Sequence, residues 1–323
     1  MKLRLQPRRM KSIVMQKRSQ KENAQARRRA EQKSVPLQAQ PVVSAEGDSQ
    51  ALAPARHVSP ADCKAATALE SIKFMSQIFA GTSGWAYPQW KPDFYPTKLA
   101  QKKFLNYYAT QLNTVEVNFT FRQLVKETTI QNWLRETPEQ FRFAVKAHQV
   151  ITHIKRLKAT EDFVPRFLAT VEPLAAAGKL SAVLFQLPPN LKFDSALLKD
   201  FLAILPRAVP MAFEFRHESW FVDATWDLLK ASNVAVCVAE TETRTTPDVV
   251  TGEFAYYRFR KPTYTGEERK AMLERIEQHV AAGRNVYAYF KHEDTPDGAL
   301  YAAELLRSAG RTLEAASPGS ATP

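Results

Sequence analysis

Three stretches of the sequence decide the fold. They are Val115-Glu116-Val117-Asn118, Phe143-Ala144-Val145-Lys146 and Phe213-Glu214-Phe215-Arg216. Each is an apolar run that ends in polar or charged side chains. A β-strand sends alternate side chains to opposite faces, so the two polar residues in the first stretch point the same way, as do those in the third. Charge at the end of a buried strand is costly unless it is paired or functional, which makes these ends a candidate site.

Eight such runs fill residues 76–310, and all but the last are followed by room for a helix or connecting loop. Predicted strands cover 77–82, 114–120, 141–148, 181–187, 211–217, 234–240, 254–260 and 286–292. Apolar residues at helical spacing predict helices over 100–112, 128–135, 163–177, 196–205, 225–232 and 267–282. Strict alternation favours a parallel sheet, and eight units of similar length favour a closed TIM-type (β/α)8 barrel over an open doubly wound sheet.

Local signals refine this prediction. Asp194 has the position of a helix N-cap, and Gly178 and Gly283 have the position of helix ends. The Thr-rich connection 241–253 is short, so its helix is expected to be rudimentary or missing. No GxGxxG or GxxxxGK[ST] loop follows any strand, which counts against a dinucleotide or P-loop fold and leaves the cofactor unknown.

The positive charge lies mainly in the N-terminal region. The chain of 323 residues carries a net charge of +12, and residues 1–76 hold 15 Lys and Arg against 6 Asp and Glu. We expect residues 1–74 to be a disordered basic tail and linker, 75–310 to be the barrel, and 311–323 to be a flexible C-terminal tail. Alternative interpretations of the basic region are a phosphate-binding arm for nucleic acid, an organelle presequence, or sequence preceding a true start at Met75.

The rest of the composition points to a cytoplasmic protein. Cys63 and Cys237 form neither a disulfide framework nor a metal-binding pattern, which is typical of a reducing compartment. No apolar run reaches 18 residues, so no membrane span is expected. The N-terminus also lacks the apolar stretch of a secretory signal.

Many motifs, in the same order along the chain, resemble those of one known family. They are Gly81-Thr82-Ser83-Gly84-Trp85-Ala86-Tyr87, Trp90, Phe94-Tyr95-Pro96, Asn113-Thr114-Val115-Glu116-Val117-Asn118, Thr120-Phe121, Phe141 to Lys146, Ile151-Thr152-His153, Leu184 to Pro189, and Glu214-Phe215-Arg216-His217 with Ser219-Trp220. Together they resemble the DUF72 (YecE-like) family over about residues 77–309. The resemblance implies a TIM-barrel-type fold and no particular reaction. Many members have an Asn-Asn pair after the last strand, whereas this chain has Lys291-His292-Glu293-Asp294 there.

The polar strand ends supply the candidate site. Glu116, Glu214 and Lys146 are the catalytic candidates, and Asn118, Gln186, Arg216, Arg258, Trp85 and Tyr87 are the substrate-binding candidates. Active sites of (β/α)8 barrels lie at the carboxyl ends of the strands, where these polar groups would converge. The competing interpretation is a structural ion-pair layer with Glu214–Arg216 or Glu116–Lys146 pairs. Likewise, the aromatic loop after the first strand is at least as well explained by a packed lid as by ligand stacking.

The excess of cationic groups favours a small anionic or phosphate-bearing ligand. Glu116 and Glu214 would act as acid and base, while a lone inward Lys146 is more often an anion contact than a Schiff-base nucleophile. The favoured function is therefore a hydrolase or lyase. The alternatives are a non-catalytic nucleotide or nucleic-acid binder and a metal-dependent nuclease-like barrel. No metal site is predicted. The potential donors lack ligand spacing, and they are His148, His153, His217, Glu116, Glu214 and Glu240.

Overall fold

The structure, a computed structural model, describes residues 77–291 and 295–310. The expectations for residues 1–74, 292–294 and 311–323 lie outside this range. Eight parallel strands are present: β1 (Ile78–Thr82), β2 (Thr114–Val117), β3 (Arg142–Lys146), β4 (Leu180–Gln186), β5 (Met211–Glu214), β6 (Ala235–Glu240), β7 (Phe254–Phe259) and β8 (Asn285–Phe290). The strand order is β1-β8-β7-β6-β5-β4-β3-β2. The predicted TIM-type barrel is confirmed.

Seven α-helices surround the sheet. They are α1 (Phe104–Gln111), α2 (Glu127–Glu136), α3 (Phe163–Ala176), α4 (Ser195–Ala203), α5 (Asp223–Ala231), α6 (Gly266–Ala281) and α7 (Asp297–Ser308). The side chain of Asp194 accepts the Leu197 amide and caps α4, as predicted. None of these helices is long and apolar enough to cross a bilayer, nor is any other helix in residues 77–291 and 295–310.

The expected loss of one helix occurs between β6 and β7. Residues 241–253 run as a loop whose backbone bonds back onto β6, with Thr246 N donating to Ala239 O at 3.0 Å. The Thr251 hydroxyl accepts the Val236 amide at 2.7 Å and donates to Val234 O at 2.8 Å. Threonine side chains therefore satisfy backbone groups of the strand in place of a covering helix.

One helix was not among those predicted. It is α7, which follows β8 and buries Ala299, Ala302 and Leu305. The backbone at the start of α7 lies so close to the end of β8 that a Cβ on Gly298 would fall 1.8 Å from Lys291 O. This contact between chain segments decides where the helix begins, which the local sequence does not indicate.

The barrel interior is filled asymmetrically. Small residues from β3 to β6, among them Ala144, Ala182, Ala212 and Ala239, lie opposite the large rings of Phe79, Tyr256, Tyr287 and Tyr289. The Tyr289 hydroxyl, which is buried among them, hydrogen-bonds the Thr114 hydroxyl at 2.9 Å. Small and large side chains facing each other in this way fit the close packing of a protein interior.

The strands β1 and β2 are the two edges of the sheet, and side chains join them. Asn113 accepts the Ala80 amide and donates to Ile78 O, each at 2.9 Å. The Tyr108 hydroxyl contacts both the Thr82 amide at 2.8 Å and Thr114 O at 3.0 Å. The chains approach so closely that a Cβ on Gly81 would lie 1.9 Å from Thr114 O. We call this junction the β1–β2 seam.

Candidate active site at the barrel mouth

The carboxyl ends of β2, β5 and β7 meet at one buried guanidinium. Arg258 contacts Glu116 Oε1 at 2.8 Å and Glu214 Oε2 at 2.5 Å. All three side chains are at most 5% exposed. Alternation along β7 directs Tyr256 to the same interior face, and its hydroxyl donates to Glu116 Oε2 at 2.8 Å. One cation therefore joins the two carboxylates that the sequence marks as catalytic candidates.

Gln186 and Lys146 extend this network towards solvent. The Gln186 amide nitrogen donates to both oxygens of Glu214 at 2.9 Å, and its Oε1 accepts from Lys146 Nζ at 2.8 Å. The Lys146 ammonium also lies 4.3 Å from the centroid of the Phe121 ring. We call Glu116, Glu214, Arg258, Tyr256, Gln186 and Lys146 the mouth cluster. Of the pairs in the structural interpretation, Glu214–Arg216 is present at 4.0 Å, whereas Arg258 takes the place expected for Lys146 beside Glu116.

The mouth cluster opens into a cavity of about 370 Å³. Its lining is strongly cationic. It contains six cationic side chains and the single carboxylate of Glu214, and the cations are Arg122, Lys146, Arg216, Arg244, Arg258 and Arg260. The other lining residues are Asn118, Phe121, Gln186 and Thr241. Such a concave, charged site suits a small anionic ligand, since guanidinium groups present paired donors to carboxylate and phosphate.

Several polar atoms of this lining have no partner. Within the described part of the chain, Asn118 Oδ1, Arg244 Nε and Arg258 Nε are buried without a hydrogen bond. Buried polar atoms are normally satisfied, so an unpartnered group beside a cavity is a candidate ligand contact. The Asn118 amide nitrogen, by contrast, is held by Ser83 O at 3.0 Å.

The electrostatics of the mouth cluster separate its ionisable groups. Burial acts to raise the pKa of Glu116 and Glu214, but Arg258 and the hydrogen bonds outweigh burial and leave both pKa values below the usual range. Burial, reinforced by the charge of Arg258, lowers the pKa of Lys146 to about 8. Near neutral pH both carboxylates are therefore ionised, while Lys146 lies close to its midpoint.

Access to the cavity differs between the two glutamates. Glu214 lines the cavity, whereas Glu116 is 0% exposed and lies beneath Arg258 with both oxygens bound. Arg216 lines the cavity with a side chain that is 40% exposed, and its Nε lies 4.0 Å from Glu214 Oε1. The structure therefore brings the two acids together but exposes only one of them to a ligand.

The aromatic loop after β1 lies elsewhere. Trp85 packs edge-on against Trp133 with 5.7 Å between ring centroids, and Tyr87 packs against Trp90 at 5.0 Å. Neither Trp85 nor Tyr87 lines the cavity. Phe121, which the sequence interpretation did not assign to the site, supplies an aromatic ring there instead.

The remaining histidines have local contacts. His217 Nδ1 accepts the Ser219 amide at 3.2 Å and caps the turn Glu218–Trp220, and His148 Nδ1 accepts the Val150 amide at 3.2 Å. The ring of His153 lies edge-on to Phe121 at 4.9 Å. Burial, followed by the charges of Lys146 and Arg216, lowers the pKa of His153. In residues 77–291 and 295–310, no three His, Cys, Asp or Glu side chains cluster as metal ligands would.

Sequence reasoning missed four residues of the lining besides Phe121, which are Arg122, Thr241, Arg244 and Arg260. Arg260 follows Arg258 by two positions at the end of β7, so strand phase was sufficient to find it. Arg122 follows the turn Phe119–Phe121, and Arg244 lies in the loop 241–253, where its guanidinium donates to Arg216 O. Loop residues such as these carry no periodic signal.

The fold and this site define a class: a TIM-type barrel with a polar site at the carboxyl ends of its strands. The family model described as "Protein of unknown function DUF72" matches residues 79–322, and the chain belongs to that family. The chain is 31% identical over 150 residues to UPF0759 protein YunF of Bacillus subtilis (strain 168), a match covering 45% of this chain and 52% of the relative. It is 30% identical over 145 residues to UPF0759 protein YecE of Escherichia coli (strain K12), covering 45% and 50%. The chain thus spans about half the length of the curated relatives it matches.

Solved structures show the same fold. A DUF72 family protein from Thermotoga maritima MSB8 superposes with a TM-score of 0.65 and 26% identity, covering 72% of this chain and 99% of that one. A DUF72 family protein from Enterococcus faecalis V583 has a TM-score of 0.60 and 19% identity, with 73% and 98% covered. The second likeness concerns the fold alone.

Proposed function

We propose that the protein is an enzyme, a hydrolase or lyase, that acts on a small anionic substrate at the barrel mouth. The observation that carries this proposal is the cavity of about 370 Å³ whose lining holds six cationic side chains and one carboxylate. Active sites of (β/α)8 enzymes are built at this end of the barrel. The substrate class is a compound bearing phosphate or carboxylate, which neutralises the excess positive charge.

Under this proposal the residues of the site have different roles. Arg216, Arg244 and Arg260 are anion contacts, and Asn118 and Gln186 orient the substrate through their amides. Glu214 and Lys146 are the acid–base pair, because both reach the cavity and their pKa values are well separated. Glu116 becomes a positioning residue that holds Arg258 from below.

Anion binding is the first test. Inorganic phosphate is titrated into the purified full chain by calorimetry, and we expect one site. Replacing Arg216 by Gln is expected to weaken binding about tenfold to a hundredfold, since a hydrogen bond to a charged group contributes about 1.5–3 kcal/mol. The control is Arg307→Gln on the exposed surface of α7. Absence of phosphate binding, or equal affinities of both variants, would contradict the proposal.

Turnover is the second test. Phosphate- and carboxylate-bearing compounds are screened for conversion, and any active compound is tested with Glu214→Gln. We expect a loss of about 10²–10⁴-fold in kcat, the usual contribution of a positioned acid or base. Unchanged turnover in this variant would remove Glu214 from the mechanism.

A second candidate function, nucleotide binding without catalysis, is favoured by one observation. Phe119 is 48% exposed and begins the turn that ends with Phe121 in the cavity lining. Bases stack on aromatic rings with about 1–3 kcal/mol each. Under this function Phe119→Ala weakens AMP binding about tenfold and leaves phosphate binding unchanged. Equal affinities of the variant and the natural protein for AMP would exclude stacking at this position.

A further inference from the structure

Lys146 has an unusual set of contacts for a lysine inside a charged site. Its Nζ donates to the neutral amide oxygen of Gln186 and faces the ring of Phe121. It makes no ion pair with a carboxylate in residues 77–291 and 295–310, because Arg258 engages both Glu116 and Glu214. The amine therefore lines the cavity without a direct anionic partner.

Lys179 provides the contrast within the same barrel. Lys179 is buried, whereas Lys146 is half-buried. Lys179 Nζ donates to three oxygens: Leu134 O at 3.2 Å, Thr137 O at 2.9 Å and Thr137 Oγ1 at 3.1 Å. Three acceptors match the three donors of an ammonium group and hold it in place. Lys146 has one such acceptor and open space beside it, which is the environment of an amine that reacts.

We propose that Lys146 is a nucleophile that forms an imine with the carbonyl carbon of an anionic aldehyde or ketone substrate. The inference rests on the proposed function, narrows it to a lyase acting on a carbonyl compound, and gives Lys146 a covalent role in place of its acid–base role. The cationic lining would hold the anionic group of the substrate while its carbonyl faces Lys146 Nζ.

The step balances without a further reactant. The neutral amine of Lys146 attacks the carbonyl carbon, a C–N bond forms, and the carbonyl oxygen takes up a proton. The resulting carbinolamine loses its hydroxyl group together with a nitrogen proton as one molecule of water, which leaves a C=N bond. Protonation of that nitrogen gives an iminium ion that withdraws electrons from the neighbouring carbon, as a lyase requires.

Borohydride trapping tests this chemistry. The full chain is mixed with pyridoxal 5′-phosphate, reduced with sodium borohydride, digested, and analysed by mass spectrometry. We expect the peptide containing Lys146 to be labelled at least about tenfold faster at pH 7.5 than that containing the exposed Lys230, since a lysine of lowered pKa holds more free amine. The rate at Lys146 is expected to rise with a midpoint near pH 8.

Two variants serve as controls. Lys146→Arg is expected to lose the fast label, and Lys230→Arg to retain it. If Lys146→Arg does not fold, the pH dependence of the labelling rate in the natural protein tests the proposal instead. An ordinary lysine shows no midpoint below about pH 10. Excess inorganic phosphate is expected to slow labelling at Lys146 about tenfold and leave Lys230 unchanged.

The outcomes separate the two proposals. Labelling at Lys146 no faster than at Lys230, in a protein that binds inorganic phosphate, overturns the imine and leaves the proposed function intact. Slow labelling together with absent phosphate binding overturns both. Fast labelling that phosphate slows, with a midpoint near pH 8, supports both.

Discussion

The two faces of β7 carry polar clusters with different surroundings. Tyr256 and Arg258 point into the barrel and belong to the mouth cluster. Tyr257 points outwards, where its hydroxyl donates to Asp248 Oδ2 at 2.7 Å and contacts His279 Nε2 at 2.6 Å. Arg284 donates to His279 Nδ1 at 3.1 Å, and Arg275 lies 3.7 Å from Asp248. We call Asp248, Tyr257, His279, Arg275 and Arg284 the outer cluster.

The clusters differ in the space that they face. The outer cluster adjoins a cavity of about 10 Å³, barely the size of one water molecule, whereas the mouth cluster opens into about 370 Å³. The outer cluster ties the loop 241–253 to β7 and α6 through Asp248. The outer cluster, in which the Asp248 and Arg275 side chains are 31% and 29% exposed, holds a loop in place as a structural network does. A cluster that leaves cations facing a larger cavity has the form of a binding site.

The largest expected effect comes from removing the shared cation of the mouth cluster. Arg258→Met leaves two buried carboxylates without their partner, and we expect a loss of about 3–5 kcal/mol in the free energy of unfolding. Urea denaturation measures it, with Arg307→Met as the control. A loss below about 1 kcal/mol would mean that the bridge contributes little to the fold.

Removing one carboxylate of the mouth cluster should lower the free energy of unfolding by a smaller amount, and this loss should depend on pH. The pKa of Glu116 is below its ordinary value of 4.5 in the folded state, so its ionised form contributes stability above that pH. This contribution is lost as the pH falls through the folded pKa. We expect Glu116→Gln to cost about 2–3 kcal/mol at pH 7 and much less at pH 3, measured by urea denaturation. If the difference in the free energy of unfolding between the variant and the natural protein stays constant with pH, the assignment of a charged Glu116 is wrong.

The outer cluster should affect stability alone. Tyr257→Phe removes one hydroxyl between Asp248 and His279, and we expect a cost of about 1–2 kcal/mol in urea denaturation. Phosphate affinity, measured by calorimetry, should stay within about twofold of the natural protein. A larger change in affinity would show that the two faces of β7 are coupled.

Arg216 should show the reverse pattern. Its side chain is 40% exposed and its ion pair with Glu214 is long, so Arg216→Gln is expected to change stability by less than about 1 kcal/mol. Phosphate affinity should nevertheless fall. Thermal denaturation beside the phosphate titration would separate the two effects, and a destabilised variant with normal affinity would reverse the comparison.

The fold was predictable because the barrel follows from periodicity. Predicted and observed strands overlap throughout, although 114–120 and 211–217 extend past the ends of β2 and β5. A strand ends where its backbone stops pairing with the neighbouring strands. After β2 this happens at Asn118, which adopts a helical conformation at φ −84° and begins a turn. Apolar residues alone do not mark such a point.

The site was predictable in its place and partly in its contacts. Strand phase brings Glu116, Glu214 and Arg258 together, but their pairing depends on distances across the barrel between β2, β5 and β7. These distances are set by the barrel as a whole, so no local sequence pattern predicts them. The same holds for Arg244, which reaches the mouth from a loop.

The barrel is closed differently at the β1–β2 seam than between its other neighbouring strands. The amides of Ala80 and Thr82 are held there by the side chains of Asn113 and Tyr108. Side-chain partners can rotate away without breaking a strand ladder, so we expect these two amides to exchange with deuterium sooner than interior strand amides. The barrel would then begin to open along this line, at the side opposite the wall formed by β5 and β6.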